Sequence, residues 1–347
     1  YFLLQEFSLN VKFPKLFTMT LNTQEILDMA SQLPLGLWEG KAGVCLYLAE
    51  VNKDAAQQLW QDIMQSLPQL CGNIDFSHGL TGIVFTAYQL EKKGMEVVDL
   101  DSLTKEVDAL VFREMGYRHC ERTPSLLTLA HLAYFEAWMI AENKDRKEEE
   151  RTIRCALLKQ IIDNILENVS TNEIYEPSTF SLKYVMPNIL LALAAACKCN
   201  IYKMRIERTL AEMSRLFVGQ LPQLHANRLF MLFALNKLYS ACSLGNCWKD
   251  YISILESNLS IDNVLNEVKG AIYIADGVSG IFWLLREMNV SQQLSATLRK
   301  KMLALIDNSN ELKILYENRK YRQHNIGLFN GLTGVMLTEK TMKGEEL

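Results

Sequence analysis

Four polar residues share one local setting. Glu39, His78, Asp276 and Asn330 each stand directly before the first glycine of a Gly-x-x-Gly motif. Two carboxylates, an imidazole and an amide are side chains suited to acid–base work or to metal ligation. Three chemistries follow. Glu39 and Asp276 would serve as the acid and base of a glycoside-hydrolysing pair. His78 and Asp276, joined by a cysteine, would make a rebuilt zinc site. All four side by side would make a polar rim for binding a substrate. The competing reading is structural: Asp276 and Asn330 are good N-cap residues, and capping alone accounts for them. His78 has no capping explanation, although a histidine at a helix start is commonly a satisfied polar group.

The four motifs read "WEGKAGVCLYL" (38–48), "SHGLTGIVFTA" (77–87), "ADGVSGIFWLL" (275–285) and "FNGLTGVML" (329–337). Their glycines pair as Gly40/Gly43, Gly79/Gly82, Gly277/Gly280 and Gly331/Gly334, each with a β-branched residue after the second. A glycine inside a helix costs about 1 kcal/mol relative to alanine, so a repeated pair implies a geometric need. Residues three apart share a helix face. The pair is therefore expected to form a notch that lets neighbouring backbones approach, with the first glycine turning at positive φ.

Three further stretches, "TPSLLTLAHLAYFEAW" (123–138), "YVMPNILLALAAACK" (184–198) and "HANRLFMLFALNKLYSA" (225–241), keep the helical spacing without the glycines. With them the chain has seven units, roughly 40 to 60 residues apart, each long enough for two helices. Amphipathic stretches at 23–33, 55–67 and 151–169 lie between the nearly all-apolar motif helices. An outer ring of amphipathic helices around an inner ring of buried ones is expected: an all-α fold, an α/α toroid. Met19 opens a natural-looking start, so residues 1–18 are expected to be an N-terminal extension and 19–347 a single domain. Helices entering such a ring from one end would aim Glu39, His78, Asp276 and Asn330 at the mouth of a central cavity.

The net charge of −4 provides no basic footprint for nucleic acid. The longest apolar run, "ILLALAAAC" (189–197), is far below the roughly 20 residues of a membrane span. Eight cysteines without a C-x-x-C pair read as reduced thiols of a cytoplasmic protein. His225, His324 and His119-Cys120 are expected in loops or on the surface. The charge run 143–151 is expected to be a loop and the solvated start of a helix, and the basic patch 317–324 a solvated loop. Met186, Met204, Met213 and Met231 read as core filler, as do Trp38, Trp283 and Tyr273.

The motifs resemble those of the lanthionine synthetase C-like family, whose toroids repeat Gly-Leu-x-x-Gly-x-x-Gly at the inner helices. "GLWEGKAG" (36–43) and "GLFNGLTG" (327–334) match that signature, and "DFSHGLTGI" (75–83) resembles its second copy. The resemblance runs from about Leu35 to Leu337. It implies a toroid whose cavity zinc, held by two cysteines and a histidine, activates a peptide thiol for addition to a dehydrated Ser or Thr. Here Ala275 and Asp276 stand where the family has cysteine and histidine. The fifth repeat, "QLHANRLF" (223–230), has neither cysteine nor glycine, and "LGNCWKD" (244–250) lies late with the order reversed. The resemblance thus implies a member without the usual zinc site and without a cofactor. It would bind a peptide substrate or leader peptide in the cavity, within a lanthipeptide-like modification pathway and beside a peptide-modifying enzyme. The alternatives are an active thioether-forming cyclase with a rearranged zinc site, and a glycosidase-like hydrolase. Whether the chain is an enzyme stays open.

Overall fold

Helical periodicity becomes helix wherever the sequence carries it. The computed structural model describes residues 21–70, 72–97, 99–116, 124–142, 147–169, 175–217, 221–288 and 295–344. Residues 1–18 and His119-Cys120 lie outside these, as do residues 143–146 of the charge run. Among the described residues there are seventeen α-helices, one short 3-10 turn (Leu67–Leu70) and no strand. No helix among them is long and apolar enough to cross a membrane.

Two compact units divide the chain, one of residues up to Val107 together with those from Val268 onward, the other Asp108–Glu267. The first unit opens with α1 (Thr23–Ala30), α2 (Lys41–Val51), α3 (Lys53–Ser66) and α4 (Leu80–Lys92). Helix α5 (Leu100–Gly116) leads into the second unit. That unit holds α6 (Leu126–Glu142), α7 (Glu148–Asn168), α8 (Val185–Lys198), α9 (Lys203–Phe217), α10 (His225–Ala241), α11 (Asn246–Ser257) and α12 (Ile261–Glu267). The chain then returns to the first unit with α13 (Val278–Glu287), α14 (Ala296–Asp307), α15 (Asn310–Glu317), α16 (Arg319–His324) and α17 (Leu332–Gly344).

Each unit has the same two-layer logic. In the first, the motif helices pack in the spatial order α13, α17, α2, α4; in the second, α6, α8 and α10 pack in series. These helices are buried nearly all round: every residue from Lys41 to Ala49 in α2 and from Leu80 to Leu90 in α4. A second layer covers them, α3 against α2 and α7 against α6, burying one stripe only, such as Ala55, Ala56, Leu59, Trp60 and Ile63 of α3. Each large apolar side chain so buried contributes about 1.5–3 kcal/mol.

Helix starts differ along the chain. Helices α1, α3 and α14 carry side-chain N-caps, with Asn22 and Glu25 in a capping box on α1, Asn52 on α3 and Ser295 on α14, whereas α7 and α11 have none. Helices α2, α4 and α13 begin on glycine with no side-chain cap. Three minor expectations change. The basic patch forms α16 rather than a loop. Met204 is exposed and Met213 half-buried, unlike the buried Met186 and Met231, because α9 belongs to the covering layer. Trp38 and Trp283 are core residues as expected, whereas Tyr273 is half-buried and hydrogen-bonds Glu311 at 2.5 Å.

Candidate functional site

The loop before each motif helix winds back over the first helical turn. The first helical N–H of each copy donates to a carbonyl in its own loop: Lys41 to Pro34 at 2.8 Å, Leu80 to Asn73 at 2.8 Å, Val278 to Ala271 at 3.0 Å and Leu332 to Asn325 at 2.8 Å. Backbone thus satisfies helix-end donors that elsewhere need a polar side chain. The glycines make room for this wrap. A Cβ at Gly43, Gly82 or Gly334 would stand 2.1, 2.1 or 1.8 Å from the carbonyl oxygen of Leu37, Phe76 or Leu328. Those at Gly40, Gly79, Gly277 and Gly331 would likewise meet loop backbone within 2.4 Å.

Two expectations about these glycines are corrected. The first is the turn at positive φ. Gly40, Gly79 and Gly277 sit at φ −116°, −123° and −131°, extended backbone open to any residue. Space, not conformational freedom, demands glycine there. The second is the notch for a neighbouring helix, because the backbone that closes on the glycines is the loop of their own motif. Gly280 also meets its own loop. It is buried in the first turn of α13, and its contact with the loop is a hydrogen bond, its N–H reaching Tyr273 O at 3.4 Å. The Gly277 N–H donates to that same carbonyl at 2.9 Å, so both glycines of this copy hold one loop residue.

Neighbouring loops are joined in register. Counting two residues back from the first glycine gives Ala275, Phe329, Trp38 and Ser77. The N–H of Ala275 donates to Phe329 O at 3.0 Å, that of Phe329 to Trp38 O at 2.9 Å, and that of Trp38 to Ser77 O at 2.9 Å. The Trp38 and Phe329 rings stack, 4.6 Å between centroids and 11° between planes. The extra leading glycine of the first and last copies has its reason in the same contact. A Cβ at Gly36 would lie 2.6 Å from His78 Cα, and one at Gly327 2.7 Å from Glu39 Cα.

The relay sets the candidate residues on consecutive loops in the order Asp276, Asn330, Glu39, His78. Asp276 and His78 are exposed; Asn330 and Glu39 are half-buried. The Asn330 amide donates to Glu39 Oε1. The capping reading of Asp276 and Asn330 is therefore corrected. Gly277 occupies the N-cap position of α13, placing Asp276 one residue outside it, and the Asn330 amide turns to the neighbouring loop. Asp75 holds the His78 loop, its carboxylate accepting the His78 N–H at 2.8 Å. Two other histidines, His225 and His324, make local contacts of their own. His225 Nδ1 accepts the Ser260 N–H at 3.2 Å, and His324 Nδ1 lies 2.8 Å from Lys320 O.

A zinc ion does not fit this donor set. Among the described residues no three His, Cys, Asp or Glu side chains come together as ligands. Ala275, at the position expected for a cysteine ligand, is buried with its N–H committed to Phe329. Cys45 of α2 is buried and donates to Ala56 O at 3.3 Å, and burial pushes its thiol far above the ordinary range, so it provides no thiolate. What the arc offers instead is a row of alternating acceptors and donors flanked by stacked aromatic rings.

Sequence reasoning missed an ion cluster in the second unit. Glu136, fully buried in α6, accepts from Arg154 Nη1 at 2.6 Å, and Arg154 also pairs with Asp108. Burial raises the Glu136 carboxyl to about 7, against the downward pull of Arg154. One acid inside the otherwise apolar "LAYFEAWMI" was the available signal.

No known protein family and no curated protein matches this sequence. Fold and site together define an all-helical protein with a repeated glycine-loop motif carrying a polar arc.

Proposed function

We propose that the chain is a lanthionine synthetase C-like α/α toroid that lacks the zinc site and binds a peptide along the polar arc, at the mouth of its cavity. The observation that carries this reading is the register of the four glycine loops. Equivalent backbone positions hydrogen-bond from copy to copy, and the last copy lies beside the first, as a closed ring of repeats requires. The arc supplies carboxylate, amide and imidazole groups to an extended chain that lacks hydrogen-bond partners of its own. On this reading the protein acts in peptide modification by holding a substrate or leader segment for a modifying enzyme. Ala275 and Asp276 at the ligand positions support binding rather than zinc-dependent cyclisation.

The test is fluorescence anisotropy with labelled peptides rich in Ser, Thr and Cys, alongside zinc analysis of protein purified without added metal. Wild type is expected to bind, with Glu39→Ala and His78→Ala each weakening binding about tenfold, as for loss of a charged hydrogen bond. Met204→Ala, on the exposed side of α9, is expected to bind as wild type does. Binding that ignores both arc variants overturns the proposal. About one zinc per chain, lost in Asp276→Ala or His78→Ala, would replace it with a rebuilt cyclase. Thermal stabilisation by sugars would replace it with a hydrolase using Glu39 and Asp276.

A further inference from the structure

From Lys313 to His324 the chain carries four cations, Lys313, Arg319, Lys320 and Arg322, against one carboxylate, Glu317, in a protein of net charge −4. Arg322 serves the fold, its Nη1 reaching Leu315 O and Tyr316 O at 3.4 Å at the end of α15. The other three have no such task. Lys313, Arg319 and Lys320 are exposed, and their side chains pair with no carboxylate among the described residues. Unpaired cations raise a local positive potential on an otherwise acidic molecule. On the same helix as Lys313, Ile314 and Tyr316 are 44% and 40% exposed, apolar surface on which a bound chain can pack.

Printed contacts tie this face to the arc. Glu311 Oε1 of α15 accepts the Tyr321 hydroxyl of α16 at 2.7 Å and the Tyr273 hydroxyl at 2.5 Å, joining α16 to the loop of Asp276. Glu311 is thereby committed to two phenols rather than to the cations. At its other end α16 runs into the loop of Asn330, where Asn325 O accepts the Leu332 N–H at 2.8 Å. The Gln323 amide donates to Gln32 Oε1, just beyond α1. The arc itself carries Asp276 and Glu39. Acidic side chains are therefore repelled by those loops and attracted by the α15–α16 face, so the two surfaces sort a bound chain by charge.

We propose that the face of Lys313, Arg319 and Lys320 docks an acidic segment of the peptide whose uncharged part lies on the arc, an inference that rests on the peptide-binding reading of the arc. Glutamate or aspartate side chains meet the Arg319 guanidinium and the two ammonium groups. One exposed ion pair contributes little, so the preference comes from several together and weakens with salt.

The test is fluorescence anisotropy of the full chain with three labelled peptides: a Ser/Thr/Cys segment alone, the same segment extended by glutamates, and the same segment extended by glutamines. At low salt the glutamate peptide is expected to bind about tenfold tighter than the glutamine peptide. The preference should vanish near about 1 M salt, where charges are screened within about 3 Å. Arg319→Gln/Lys320→Gln should bring the two extended peptides to equal affinity. Arg208→Gln/Lys249→Gln, which removes the same charge from α9 and α11, should keep the preference. Equal binding of the two extended peptides to wild type, or a preference that survives Arg319→Gln/Lys320→Gln, overturns the proposal. Retention on phosphatidylserine vesicles without a preference between the peptides overturns it in favour of a lipid surface. The unextended segment separates this inference from the reading of the arc. Its failure to bind, with the glutamate preference kept, removes the arc and leaves the acidic docking face; its binding without a glutamate preference does the reverse. Binding of none of the three overturns both.

Discussion

Gly43→Ala puts the loop-wrapping argument to its most direct test. The added methyl would stand 2.1 Å from Leu37 O and 2.7 Å from Leu328 Cβ. An ordinary carbon–oxygen contact needs about 3.3 Å, so the Leu37 carbonyl must retreat by roughly 1 Å. It is tethered against doing so: the Leu37 N–H donates to Ser77 O at 2.9 Å, and the Ala42 N–H holds Leu35 O at 3.2 Å. Overpacking of this kind costs about 1–3 kcal/mol. Loosening one or two backbone hydrogen bonds adds about 1 kcal/mol each. Alanine returns about 1 kcal/mol of helix propensity, leaving a net loss of about 1–4 kcal/mol. Gly245→Ala is the control, since the nearest atom to its Cβ would be Cys247 Sγ at 3.9 Å. Its effect should stay within about 0.5 kcal/mol. Urea denaturation followed by tryptophan fluorescence, which reports the buried Trp38, measures both. A Gly43→Ala protein as stable as wild type would show that the glycine serves no steric purpose and refute the argument.

Other perturbations have equally definite outcomes. Glu136 holds its proton more tightly in the folded state, so its stabilising contribution is complete below about 4.5, fades as pH rises, and is gone above about 7. At 1.36 kcal/mol per unit this amounts to something on the order of 3 kcal/mol. Glu136→Gln should therefore gain on wild type as pH rises from 4.5 to 8, read from denaturation midpoints; parallel pH profiles would refute this. Arg154→Leu strips the cation from two carboxylates and should lose about 3–5 kcal/mol at pH 8, and less at pH 5, where Glu136 takes a proton. Asn330→Ala removes the half-buried contact to Glu39 and should cost about 1 kcal/mol or less in denaturation, while still weakening peptide binding.

What the sequence revealed depended on how far each feature reached along the chain. Near-continuous apolar runs marked α2, α4, α6, α8, α10 and α13 as buried, and 3.6-residue spacing marked α1, α3 and α7 as half-covered. Both signals arise within one helix. The paired glycines showed that something approaches closely, but not what. It is the loop backbone of the same motif, joined at Gly43 and Gly334 by the side chains of Leu328 and Ile274. Asp276 and Asn330 misled for the same reason, since capping rules assume that a helix end has no other donor or acceptor nearby. The Glu136–Arg154 pair joins two different helices, and no spacing rule foretells which helices will be neighbours.

The stacking of Trp38 on Phe329 has a consequence for the order in which the molecule is made. Glu39 and Asn330, beside that stack, are 291 positions apart. At about 5–20 residues per second of synthesis, the loop around Trp38 waits some 15–60 s for its partner to emerge. Asp108–Glu267 is one continuous stretch and can complete its packing within that interval. The segment made before Asp108 is thus completed after the stretch that follows it. Through that interval its motif helices present uncovered faces, and it is then that a chaperone would find them.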